Sequence, residues 1–155
     1  MPLDPLSDAA VALRHPAASW REAVLEAGRA LERSGAVDPA YSRRMVEQVD
    51  VLGPYIVIAP GLALAHARPG NDVLEDGISV VTLAEPVAFG HSTNDPVSVV
   101  IGIAATQAHG HVGFVSGLAD VLTRPDAVGA LAAARTVRSI NAVLTDDTPH
   151  HGRSA

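Results

Sequence analysis

Seven histidines and no cysteine set the terms for any chemistry in this chain. Disulfides, thiolate nucleophiles and cysteine zinc sites are excluded, and imidazole becomes the group to follow. His66 holds a particular place. The run Ala59-Pro-Gly-Leu-Ala-Leu-Ala-His66-Ala-Arg68-Pro-Gly70 sets it where a small-residue apolar stretch gives way to a Pro/Gly turn. A side chain there is held by scaffold yet open to a partner. Its imidazole, neutral in a substantial fraction of molecules at pH 7, has a lone pair able to attack phosphorus. The same spacing also fits a half-buried histidine bonded to a backbone carbonyl.

His111 lies just beyond an apolar, β-branched run and at the start of a helical pattern, with His109 two residues before it. Helix N-termini present unpaired amides and partial positive charge, which together bind phosphate, and ligands of α/β sheets commonly sit outside carboxyl strand ends. If the two strand ends are neighbours, His66, His111 and those amides surround one anion-sized site. Otherwise His109 and His111 decorate a solvated helix start. Arg68 could grip phosphate through its planar donor fork or pair with Asp72 or Glu75. His66, His91 and His109-x-His111 are candidate metal ligands, but no ligand spacing of a known metal motif supports them. His150-His151 reads as incidental, and Asn94-Asp95-Pro96 as turn chemistry.

The elements that must position these groups are well punctuated. Ala10–Leu13 reads as a short edge strand broken by His15 and Pro16. Ser19 and Glu22 form a capping box for a helix carrying Trp20, Val24, Ala27 and Leu31 on one face, ended by Gly35. Asp38-Pro39 opens a second helix running to about Val49, and Gly53-Pro54 closes it. Tyr55–Ala59, Ile78–Leu83 and Val97–Ala105 read as buried strands. A helix follows from Val112 to Leu122, then short helical stretches over Asp126–Arg135 and Thr136–Leu144. The reading is one α/β domain over residues 1–146, a three-layer α/β/α sandwich on a mixed sheet, with residues 147–155 as a disordered tail.

Composition narrows the function classes. With 155 residues there is room for one domain, and 48% hydrophobic content with 3% aromatic calls for a core of Ala, Val, Leu and Ile. Net charge is −6 and all eleven basic residues are arginines, scattered without a stripe. This speaks against nucleic acid and anionic lipid as partners. Lacking lysine, the chain can form no Walker-type nucleotide loop, and it has no Gly-x-Ser-x-Gly elbow. An acidic start and no apolar run near ~20 residues lead to the expectation of a cytoplasmic protein without membrane insertion.

Gly53-Pro-Tyr-Ile-Val-Ile-Ala-Pro-Gly-Leu-Ala-Leu-Ala-His66-Ala-Arg-Pro resembles the phosphorylation segment of fructose/mannitol-type IIA domains of the sugar phosphotransferase system, most closely the ascorbate-type branch. Ile78–Gly90, Asn94-Asp-Pro-Val and the strand before His111 follow the same pattern in order, so the resemblance covers about residues 10 to 145. It implies the mannitol/fructose-type IIA fold. It also implies that His66 accepts phosphate through Nε2 from the phosphocarrier HPr. The recipient would be a cysteine of a cognate IIB protein that serves a membrane IIC permease. His111 matches the second active-site histidine. No metal, nucleotide or other cofactor is implied, and self-association stays open. Two departures stand out: Ala65 replaces the proline many relatives carry, and Gln48 occupies the position of a phosphate-binding arginine, for which Arg44 and Arg68 are candidate substitutes. The same domain type also serves as a regulatory module controlled by histidine phosphorylation.

Overall fold

The computed structural model describes residues 5–107 and 112–145, without the side chains of 112–116. His109, His111 and the 147–155 tail therefore lie outside the described residues. Among the described residues five strands form one mixed sheet: β1 (Val11–His15), β2 (Val57–Ala59), β3 (Leu62–His66), β4 (Gly77–Val87) and β5 (Val97–Ala104), in the order β1-β4-β5-β3-β2. β1 runs parallel to β4 and β3 parallel to β5, while the β4–β5 and β2–β3 pairs are antiparallel. Helices α1 (Trp20–Arg33) and α2 (Pro39–Leu52) precede β2, and α3 (Val112–Leu122), α4 (Ala127–Ala133) and α5 (Val137–Thr145) follow β5.

The three layers follow from alternation along the central strands. Ile78 and Val80 of β4 and Val99, Ile101 and Ile103 of β5 join Leu118, Leu131 and Ile140 in one cluster. Val81 and Leu83 of β4, Val100 of β5 and Ala63 and Ala65 of β3 join Val24, Leu31, Tyr41 and Met45 in the other. Successive side chains of a strand point to opposite faces, so a sheet covered twice needs apolar residues at nearly every position. Two glycines set how closely the α1–α2 layer approaches. A Cβ on Gly28 would lie 2.5 Å from Ser42 Oγ of α2. One on Gly102 would lie 2.4 Å from Ser79 Oγ, which itself donates to the Ala27 carbonyl of α1 at 2.8 Å.

The helix signals hold in position and differ in detail. Ser19 Oγ accepts from Glu22 N at 3.4 Å, but the Glu22 carboxylate reaches back to Ala18 N, at 3.0 Å, one residue before the cap. Asp38 precedes Pro39 at the first turn of α2, yet its side chain makes no capping bond; its backbone N donates instead to the Asp72 carbonyl, at 2.7 Å. α2 runs on to Leu52, where Gly53 at φ +88° ends it.

The strand reading needs four corrections. Tyr55–Ala59 shortens to Val57–Ala59, and Leu62–His66, not read as a strand, is one. Pro60-Gly61, with Gly61 at φ +79°, folds the two into a hairpin, and a Leu/Ala run without β-branching hid the second arm. β1 starts after a short 3-10 turn (Asp8–Ala10) and continues through His15. β4 extends through Pro86 to Val87, because by Glu85 and Pro86 the chain is exposed and the ladder with β5 is interrupted, so the missing N–H costs no pairing.

Candidate functional site

His66 is the last residue of β3, paired in register with Ile103 of the parallel β5. Because the two strands run the same way, the segment leaving β5 toward His111 departs from the same edge of the sheet at which His66 sits. That is the topological half of the expected histidine pairing; the position of His111 lies outside the described residues.

The half-buried His66 ring has its Nδ1 3.3 Å from the Leu64 carbonyl oxygen. A carbonyl only accepts, so this contact is a hydrogen bond when Nδ1 carries the proton, which leaves the lone pair on Nε2. This contact is compatible with both sequence readings, the half-buried histidine bonded to a carbonyl and the imidazole with a lone pair on Nε2. On another side the Tyr55 ring stands edge-on to the imidazole, with centroids 6.0 Å apart at 83°.

One face of α2 grips this strand end. Tyr41, Arg44 and Gln48 are spaced i, i+3, i+7, which aligns them along a helix. Tyr41 is fully buried. Its hydroxyl accepts from Ala67 N at 2.9 Å and donates to the Ile103 carbonyl at 2.7 Å, with the Ala67 carbonyl at 3.2 Å. One phenol therefore ties together the residue after His66 and its strand neighbour. Burial pushes the Tyr41 phenol above its ordinary range, against the opposing pull of the Ala67 amide, so it stays protonated and keeps both bonds.

The guanidinium of Arg44 lies 5.2 Å from the Tyr41 ring centroid and is committed elsewhere. Its Nε donates to Asp72 Oδ2 at 2.7 Å, and its Nη2 donates to Asp72 Oδ1 at 2.6 Å and to the Arg68 carbonyl at 2.8 Å. The hydrogen bond from Arg44 holds the Asp72 carboxyl below the usual range and raises Arg44 in turn. Asp72 therefore pairs with Arg44, where the sequence offered it to Arg68. The Arg68 side chain is exposed and, with Gln48, Arg44, Glu47 and the exposed Val51 and Leu52, lines a shallow groove beside α2. Gln48 Nε2 donates to the Tyr55 hydroxyl at 2.7 Å.

His91 sits apart, at the far end of β4, with Nδ1 accepting from Asn94 N at 3.0 Å and Thr93 N at 3.2 Å. Among the described residues no group of three or more His, Asp or Glu side chains is arranged to hold a metal ion. Sequence reading missed the roles of Tyr41 and Tyr55 and gave Asp72 a different partner. The only available signal was helical: Tyr41 shares a face with Arg44 and Gln48.

The comparisons with known proteins agree with one another. The ascorbate-specific phosphotransferase EIIA component of Escherichia coli (strain K12) is 42% identical over 101 residues, 65% of this chain and 66% of the relative, so the match spans just under two thirds of that protein. A protein of the same strain named as phosphotransferase IIA component SgcA is 35% identical over 135 residues, 87% of this chain and 94% of its own. The solved complex of mannitol enzyme IIA with phosphorylated mannitol enzyme IIB from Escherichia coli superposes with a TM-score of 0.79 at 26% identity, covering 91% of this chain and 97% of that one. The model of the phosphoenolpyruvate-dependent sugar phosphotransferase system, EIIA 2 family matches residues 5–147. On that match, and on likeness to SgcA over most of both lengths, the chain belongs to the EIIA type 2 family of the phosphoenolpyruvate-dependent sugar phosphotransferase system.

Proposed function

We propose that this chain is a phosphohistidine relay, the IIA component that takes a phosphoryl group from phosphorylated HPr on His66 and hands it to a cysteine of a cognate IIB protein. IIB in turn serves a membrane IIC permease. The observation that carries the reading is the His66 Nδ1 contact with the Leu64 carbonyl, which supports a tautomer with the lone pair on Nε2 at the end of β3. In the forward step Nε2 attacks phosphorus, an N–P bond forms and the donor's bond to phosphorus breaks. Positive charge developing on the ring is stabilised through the Nδ1 proton and the Leu64 oxygen. In the second step the thiolate of IIB attacks the same phosphorus, an S–P bond forms, and His66 leaves as neutral imidazole. Such transfers depend on in-line positioning and charge stabilisation, so the step as written needs neither metal nor nucleotide.

His111 is assigned the second catalytic place, with the start of α3 contributing amides to the phosphoryl oxygens. Of the three candidate phosphate ligands we assign Arg68, whose side chain is exposed on the groove and carries no ion pair with a described residue. Arg44 holds the 66–72 segment in shape by way of Asp72. Exposed Val51, Leu52 and Tyr55 give two successive protein partners an apolar footing beside the nucleophile. The name of the ascorbate relative supports ascorbate or a related sugar as the transported substrate. No helix of the described residues is long and apolar enough to cross a membrane, in keeping with a cytoplasmic relay that meets soluble partners.

The test is incubation with phosphoenolpyruvate, enzyme I and HPr, reading acid-labile phosphate by intact mass. The parent should become labelled, His66→Ala should not, and His111→Ala should label about 10²-fold more slowly. A parent that never takes label ends the relay reading.

A further inference from the structure

Core packing does not account for where Tyr55 sits. It is 41% exposed and belongs to neither core cluster, yet it is held by a specific bond. Gly53, in a left-handed conformation at φ +88°, turns the chain sharply out of α2, so that Tyr55 comes back alongside Gln48, seven residues earlier. The Gln48 amide donates to the phenol oxygen at 2.7 Å, and the Tyr55 ring in turn meets the His66 imidazole edge-on at 6.0 Å.

The outer torsion of a histidine is broad and roughly two-fold, so every contact on the ring, the 3.3 Å contact from Nδ1 to the Leu64 carbonyl among them, helps to set it. An in-line displacement requires the Nε2 lone pair to point along one axis, so a further contact on the ring has direct consequences for rate. An edge-on aromatic neighbour supplies one, provided that neighbour is itself fixed. A surface tyrosine is not fixed by packing; the Gln48 bond does that here. We propose that Tyr55 is a positioning residue for transfer at His66, and that Gln48 acts through the Tyr55 hydroxyl, not on the phosphoryl group. This rests on the relay reading of His66.

Four variants test it: Tyr55→Ala, Tyr55→Phe, Gln48→Leu and the double variant Tyr55→Phe/Gln48→Leu. Two readouts are needed: the initial rate of phosphorylation from the phosphorylated donor protein, and the ring nitrogen shifts and ring-proton contacts of His66 by NMR, which require no phosphorylation. Tyr55→Ala should slow labelling about tenfold and redistribute the His66 ring signals. Tyr55→Phe and Gln48→Leu should each slow it about threefold. The double variant should be no slower than either, since both singles break one bond, and thermal melts of all four should match the parent. Parent-like ring signals and rate in Tyr55→Ala overturn the proposal, as does a double variant clearly slower than Tyr55→Phe. A parent that takes no phosphoryl group defeats the relay reading instead, which separates the two failures.

Discussion

In the loop after β4, His91 Nδ1 receives the backbone N–H groups of Thr93 and Asn94, at 3.2 and 3.0 Å. At the end of β3, His66 Nδ1 faces a backbone carbonyl at 3.3 Å. Both rings are half-buried and both sit beside turns rich in Gly, Pro, Asn and Asp. The backbone nevertheless asks opposite things of them. His91 must keep its Nδ1 lone pair for the two amides, so its proton resides on Nε2 and the ring is spent on shaping the turn. The Asp95 carboxylate completes that turn by collecting the N–H groups of Phe89, Gly90 and His91. His66 Nδ1 faces an acceptor instead, a contact that is a hydrogen bond when the proton sits on Nδ1 and the lone pair on Nε2. The identity of a histidine's backbone partner, donor or acceptor, thus distinguishes the turn-shaping imidazole of His91 from the one proposed as the nucleophile.

The sharpest way to break this contrast is to remove each ring in turn. His66→Gln should abolish acid-labile labelling, whereas His91→Gln should label like the parent and lose about 1 kcal/mol of stability in urea unfolding, as two amides lose their acceptor. Nitrogen shifts should assign the proton to Nδ1 in His66 and to Nε2 in His91; the same tautomer at both would undo the comparison. A smaller effect probes the scaffold under His66. Tyr41→Phe keeps the ring and strips the hydroxyl that joins Ala67 N to the Ile103 carbonyl, so it should cost about 2 kcal/mol of unfolding free energy, measurable as a lower urea midpoint at unchanged slope.

The smallest effect concerns Asp72. Its carboxyl is held below the ordinary range by Arg44, so its contribution is present above the unfolded-state pKa and is lost as pH falls through the folded one. Asp72→Asn should therefore cost about 1 kcal/mol at pH 7, and the gap to the parent should close below about pH 4. A gap that persists at low pH would mean the charge on Asp72 contributes nothing.

Much of the fold is legible in the sequence alone. Ser19, Asp38-Pro39, Gly35 and Gly53 mark helix ends because capping and left-handed termination are settled within a few residues. β-branched runs mark the strands at Ile78 and Val97 for the same local reason. Leu62–His66 escapes because Leu and Ala suit either helix or strand, and only pairing with β5 decides between them. Asp38 reads as a cap and lies at one, but a bond from its backbone to Asp72 holds the chain there in place of its side chain.

By itself the sequence determined which groups exist for chemistry: imidazoles and arginines, no thiol, no lysine, and one histidine at the boundary of an apolar run and a Pro/Gly turn. Tertiary structure alone decided what those groups do with one another. Tyr41 meets Ile103 across 62 positions, and Arg44 meets Asp72 across 28. Local hydrogen bonds are written in neighbouring residues, whereas bonds of that span form only after strand order and layer packing have brought the partners together.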